Sequence, residues 1–114
     1  MSSSKCGETK PIGPLKGIRV IELATWHNGA AAGYMLSDLG ADVIKIEQPN
    51  IGDPSRGVTQ SFGHSLELPG GRGFWFDMVN RGKRTITLDL KTSNGREVLY
   101  RLVSKADVFF TNFT

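Results

Sequence analysis

A histidine, an asparagine and a run of small residues meet in the stretch ATWHNGAAAG, residues 24–33, directly after the apolar run IRVIEL. Such a stretch could hold a phosphate, seat a reactive histidine, or simply turn the chain. A dinucleotide-binding loop needs glycine at its first, third and sixth positions, so that the backbone turns tightly and comes close to a pyrophosphate. Counted from Gly29, Ala31 and Tyr34 fill the other two places, and a tyrosine there would hold a helix away from its strand. Glu47, eighteen residues on, nevertheless stands where a ribose-binding acid would. What the stretch does offer is a helix N-terminus with small residues, which lets an anion or a carbonyl oxygen approach backbone amides. His27 and Asn28 lie at its mouth, without partners from which a triad could be assembled. His64, isolated in a polar loop, reads as a solvated side chain.

The other chemistry-bearing residues are sparse. Glu22, Glu47 and Asp89 stand at strand ends, and none has a neighbour at a spacing that suggests paired acid–base work or a metal site. The turn NRGKR with the following Lys91 could gather phosphates through its local positive field, or could be a solvated turn; both readings stand on the residues alone. A net charge of +3 with scattered cations argues against a polyanionic partner such as nucleic acid, and there is no apolar run that would span a bilayer. Cys6 is the only cysteine, so neither an intramolecular disulfide nor a multi-cysteine metal site can form, which fits a reducing, cytoplasmic setting. The opening MSSSKCGETK lacks the character of a secretory or transit peptide, so residues 1–13 read as a disordered tail and Cys6 as a bystander.

Positioning these residues calls for an α/β chain, with ordered structure expected over residues 14–114. Ile18 to Leu23 reads as a buried strand, Asn28 as the N-cap of a helix running from Gly29 or Ala30 to Leu39, and Gly40 as its stop. On that helix Ala31, Met35 and Leu39 share one face. Asp42 to Glu47 reads as a second strand, completing a strand–helix–strand unit. Residues 49–72 are dense in glycine and proline and predict a long functional loop. Phe74 to Val79 predicts one or two helical turns packing that loop onto the sheet. Arg84 to Leu90 alternates as a third strand, with Ile86, Leu88 and Leu90 on one side. Thr92 caps a helix to about Ser104 whose buried stripe is Val98, Leu99, Leu102 and Val103, with Arg96, Arg101 and Lys105 facing water. Asp107 to Phe113 reads as a fourth strand. The whole is a Rossmann-like parallel sheet with flanking helices, expected to be the incomplete N-terminal part of a larger domain, because a parallel strand needs neighbours and cover on both faces.

The order and spacing of PLKGIRVIELA, LGADVIKIE, GDPSRG, NRGKRTITLDLK and ADVFFTNF resemble the opening of the class III CoA-transferases, the formyl-CoA, carnitine and benzylsuccinate type, over Pro14 to Thr114. The resemblance implies transfer of CoA from an acyl-CoA donor to a carboxylic acid through an aspartyl-CoA thioester, with the nucleophilic aspartate beyond residue 114, so that no catalytic residue is assigned and the piece alone is expected to be inactive. Coenzyme A would then be substrate, and no separate cofactor is implied. By the same resemblance His27 and Asn28 border the acyl site, Leu88, Asp89, Leu90 and Lys91 hold the adenine end with Lys91 available to a phosphate, and Asn112, Phe113 and Thr114 lie along the pantetheine. Gln48 stands where the formyl-CoA type has an arginine, and Arg56 is either a ligand or a loop-ordering residue. The family implies an interlocked homodimer. The α-methylacyl-CoA racemases share this N-terminal pattern, and a non-catalytic CoA- or nucleotide-binding module is a further alternative.

Overall fold

A computed structural model describes residues 12–114. Cys6 and most of the expected tail therefore lie outside the described residues. The chain runs β1 (Arg19–Leu23), α1 (Trp26–Asp38), β2 (Asp42–Glu47), a 3-10 turn (Pro54–Gly57), two short hairpins formed by β3 (Gln60–Ser61) with β4 (His64–Ser65) and β5 (Glu67–Leu68) with β6 (Arg72–Gly73), α2 (Phe74–Asn80), β7 (Arg84–Thr87), α3 (Ser93–Ser104) and β8 (Val108–Thr111). Four of the strands form one sheet in the order β7-β2-β1-β8, and all three pairings are parallel. In chain order this is 3-2-1-4, the arrangement of a dinucleotide-binding half-sheet, and it confirms the Rossmann-like reading.

Side chains alternate across a strand, so each sheet face collects its own core. Ile21, Ile44, Ile46 and Leu99 form one cluster, into which Ile86, Leu88, Leu90 and Leu102 also pack, so this is the face covered by α3. Val20, Ala41 and Val43 form the other with Leu15, Ile18, Leu36 and Phe110, on the α1 side. The next alternate residues on the α1 side are Glu22 and Lys45, direct register partners, and both are fully buried.

Several boundaries differ from expectation for identifiable reasons. α1 starts three residues before the helix start inferred at Gly29, with Thr25 rather than Asn28 at the N-cap and with no side-chain cap bond. Its buried face is Gly29, Ala30 and Gly33, whereas Met35 and Leu39 are about half exposed. The helix lies so close to β1 that a Cβ on Gly33 would overlap the Glu22 carboxylate, which only a glycine avoids. α2 packs on α1 and the 3-10 turn rather than onto the sheet. β7 ends at Thr87, yet Leu88 still donates its amide to the Glu47 carbonyl at 3.0 Å, and Leu88 and Leu90 keep their inward alternation. β8 ends at Thr111, short of the expected Phe113. Thr92 caps α3 as expected, accepting from the Gly95 amide at 3.0 Å, but Val98 is exposed rather than part of the stripe.

Candidate functional site

The carboxyl ends of the four parallel strands open onto a cleft of about 500 Å³. It lies where the strand order reverses, the place at which open α/β sheets bind ligands. Leu23, Glu47, Leu88, Lys91 and Phe113 contribute to its lining, one from the end of, or just beyond, each sheet strand and a second after β7. The structure thus brings Leu88, Asp89, Leu90, Lys91 and Phe113 to one cleft, together with Gln48. His27, Asn28, Asn112 and Thr114 are not among its lining residues. His27 and Asn28 sit in the first turn of α1, and Asn112 clips the β1–α1 turn, bonding the Thr25 amide at 3.1 Å and the Thr25 carbonyl at 2.8 Å. The His27 ring lies 4.3 Å from that of Trp75, tilted by 56°, and its Nδ1 is buried without a hydrogen-bond partner.

Three of the four charged lining residues are acidic, Glu47, Asp53 and Asp89, yet each is already engaged. Glu47 takes both Arg56 Nε and Nη2, at 2.8 and 2.7 Å, and the Asp53 amide at 2.8 Å. Burial alone would raise the Glu47 carboxyl; the Arg56 bonds outweigh it and hold the group below its ordinary value. Asp53 behaves alike, burial being outweighed by Lys45 and by the Ser55 amide and hydroxyl. Asp89 accepts the Lys91 amide at 3.0 Å, an Asx-type turn that shapes the segment after β7. Lys91 is then the one cation among the lining residues, and its side chain makes no ion pair among the described residues. Arg96 is exposed, as expected, and in addition donates to the Leu90 and Lys91 carbonyls at 3.0 Å each, bracing this wall.

Beneath the cleft lies a buried charge network that spacing did not reveal. Lys45 Nζ stands 2.9 Å from both Glu22 Oε1 and Asp53 Oδ2 and donates to the Ala24 carbonyl at 2.8 Å. Lys83 Nζ lies 2.8 Å from Glu22 Oε2 and donates to the Ala30 carbonyl at 2.8 Å and Asn80 Oδ1 at 2.9 Å. Burial pushes the Lys83 ammonium below its ordinary value, with Glu22 opposing. Every carboxylate in the network has a cation, the condition under which buried charge is tolerated. The signal for it is a charge flanked by apolar residues within each strand, Glu22 in RVIEL and Lys45 in DVIKIE.

In NRGKR, Arg81 pairs with Asp38, Lys83 with Glu22 and Arg84 with Asp42, so all three cations of the turn are engaged within the fold. Arg56 joins Glu47 on one side to the Phe76 ring 3.6 Å away, contacts that favour a loop-ordering role.

Residues 15–114 match CoA-transferase family III. The succinate–glutarate CoA-transferase of Agrobacterium fabrum is 48% identical over 100 residues, covering 88% of this chain and 25% of that protein. A formyl-CoA:oxalate CoA-transferase of Bradyrhizobium sp. is 39% identical over 99 residues, covering 87% of this chain and 22% of that protein. Among solved structures, a CAIB/BAIF family protein from Brucella suis superposes with a TM-score of 0.78 at 46% identity, covering 89% of this chain and 26% of that one. The chain therefore spans about a quarter of the length of these relatives. Among the described residues no helix is long and apolar enough to cross a membrane, and no cluster of histidine, cysteine and carboxylate side chains could hold a metal.

Proposed function

The chain belongs to CoA-transferase family III, and from that premise we propose that it forms the CoA-binding N-terminal part of an enzyme that moves CoA from an acyl-CoA donor to a carboxylic acid. The observation that carries this reading is the convergence of Leu88–Lys91 and Phe113 on one cleft at the reversal of strand order. In this reading Leu88 and Leu90 give the adenine an apolar wall, Lys91 meets a phosphate, and Phe113 lies along the pantetheine. His27, at the head of α1, borders the acyl end, and Asn28, Asn112 and Thr114 complete the rim. The reaction runs by nucleophilic catalysis on an aspartate outside residues 1–114, where an aspartyl thioester divides one hard acyl transfer into easier steps. The working protein is a homodimer in the cytoplasm and needs no resident cofactor.

A nicotinamide dinucleotide is disfavoured, because the acid that would hold its ribose, Glu47, has both oxygens committed to Arg56 and the Asp53 amide. Isothermal titration with CoA and with NADH separates the two. CoA is expected to bind in preference, and a preference for NADH would sink the transferase reading.

A further inference from the structure

Three consecutive residues at the β1–α1 turn are each held by a side chain from elsewhere in the chain. Lys45 holds the Ala24 carbonyl, Asn112 brackets Thr25, and Asp53 Oδ1 accepts the Trp26 amide at 3.3 Å. The turn supplies no cap of its own. Trp26 has a φ of 61°, a left-handed conformation that a bulky side chain adopts at a strain cost and keeps only where its surroundings over-determine it. Asp53 is suited to that task. It is 1% exposed, Oδ2 is 2.9 Å from Lys45 Nζ, and Oδ1 also accepts the Ser55 amide at 2.9 Å and hydroxyl at 2.7 Å. With the Lys45 ammonium 2.9 Å from one oxygen and three donors on the other, the site favours the ionised carboxylate. The next residue after Trp26 is His27, whose side chain makes no hydrogen bond among the described residues, so the turn and the Trp75 contact set its ring.

The geometry points to Asp53 as a positioning residue: its carboxylate, oriented by Lys45, fixes the left-handed turn at Trp26 and thereby places His27 at the head of α1, two residues from the cleft wall at Thr25. This placement stands on the geometry alone, and its consequence for CoA transfer rests on the function proposed above.

The test is Asp53→Ala in the intact enzyme labelled with [13Cε1]histidine, the His27 signal being identified by its disappearance in His27→Gln. The signal is expected to leave its Trp75-shifted position, move toward that of the exposed His64 and broaden. Leu99→Ala, which weakens the core on the opposite sheet face, should leave it in place. In a transfer assay Asp53→Ala should lower kcat about tenfold or more and change KM for acyl-CoA by much less, because the Asp53 oxygens are turned to Lys45, Trp26 and Ser55 and Leu88–Lys91 and Phe113 keep their places. Should the alanine variant not fold, Asp53→Asn, which keeps the volume but offers one acceptor oxygen, should give the same displacement in smaller degree. An unmoved His27 signal in a folded Asp53 variant, or an equal displacement in Leu99→Ala, overturns the proposal. Absence of CoA transfer in the unaltered enzyme would instead overturn the proposed function and leave the resonance comparison intact.

Discussion

Replacing Lys45 by methionine tests the buried network most directly. The side chain is wholly buried and within 2.9 Å of two carboxylates and 2.8 Å of the Ala24 carbonyl. Methionine fills much of the same space, so little cavity cost is added. Glu22 would keep Lys83, which approaches its two oxygens at 3.1 and 2.8 Å, but Asp53 would lose the one cation paired with it among the described residues. A buried charge stripped of its partner costs about 3–5 kcal/mol, and the vacated carbonyl adds about 1 kcal/mol. That sum is a large share of the roughly 5–15 kcal/mol by which a domain is stable. Urea denaturation followed by the fluorescence of Trp26 and Trp75 measures it. The double variant Lys45→Met with Asp53→Asn removes the orphaned charge, so its loss should fall short of the summed single losses by about 2 kcal/mol. By contrast Arg84→Ala, which breaks an ion pair whose side chains are 62% and 32% exposed, should cost less than about 1 kcal/mol. A loss in Lys45→Met no larger than that of Arg84→Ala, or strict additivity in the double variant, would refute the reasoning.

Gly33→Ala should destabilise by about 2–3 kcal/mol, because the added methyl overlaps a Glu22 carboxylate that two lysines hold in place; an equal or raised urea midpoint would contradict this. Glu47 and Asp53 have folded values below their ordinary 4.5 and 3.8, so the stability they contribute is complete above those values and is lost as pH falls through the depressed ones. Unfolding free energy measured from pH 6 down to about pH 3 should therefore drop below about pH 4.5, and Glu47→Gln should flatten part of that drop. Lys91→Ala in the intact enzyme should weaken CoA binding by about 1 kcal/mol, roughly fivefold, in calorimetry, and an unchanged affinity would remove Lys91 from the site.

The sheet was legible because its strands carry their own signals. DVIKIE is bounded as expected, with Gly40 in the left-handed conformation before it, and Thr92 caps α3 as expected. The start of α1 was not legible, since the group that satisfies its first amide is Asp53, 27 positions away, and no local cap marks the true boundary. The part of the lining that follows β7 and β8, Leu88–Lys91 and Phe113, came from the family pattern, and the parallel topology explains why both segments lie at the same end of the sheet. The charge network was hidden because its pairs, Glu22 with Lys45, Glu22 with Lys83 and Lys45 with Asp53, lie 23, 61 and 8 positions apart, separations that no local pattern marks. A charge within a strand buried on both faces was the available clue, and it called for partners without naming them.

The externally held turn at Ala24–Trp26 also bears on the order in which the protein folds. Its fastening contacts close separations of 21, 27 and 87 positions, so the turn cannot be set by local encounter. Long closures of this kind form late. Substitutions at Thr25 or Trp26 should hence accelerate unfolding while leaving the refolding rate nearly unchanged, the kinetic mark of a region absent from the nucleus. During synthesis the head of α1, although made early, would stay unset until Asn112 had left the ribosome.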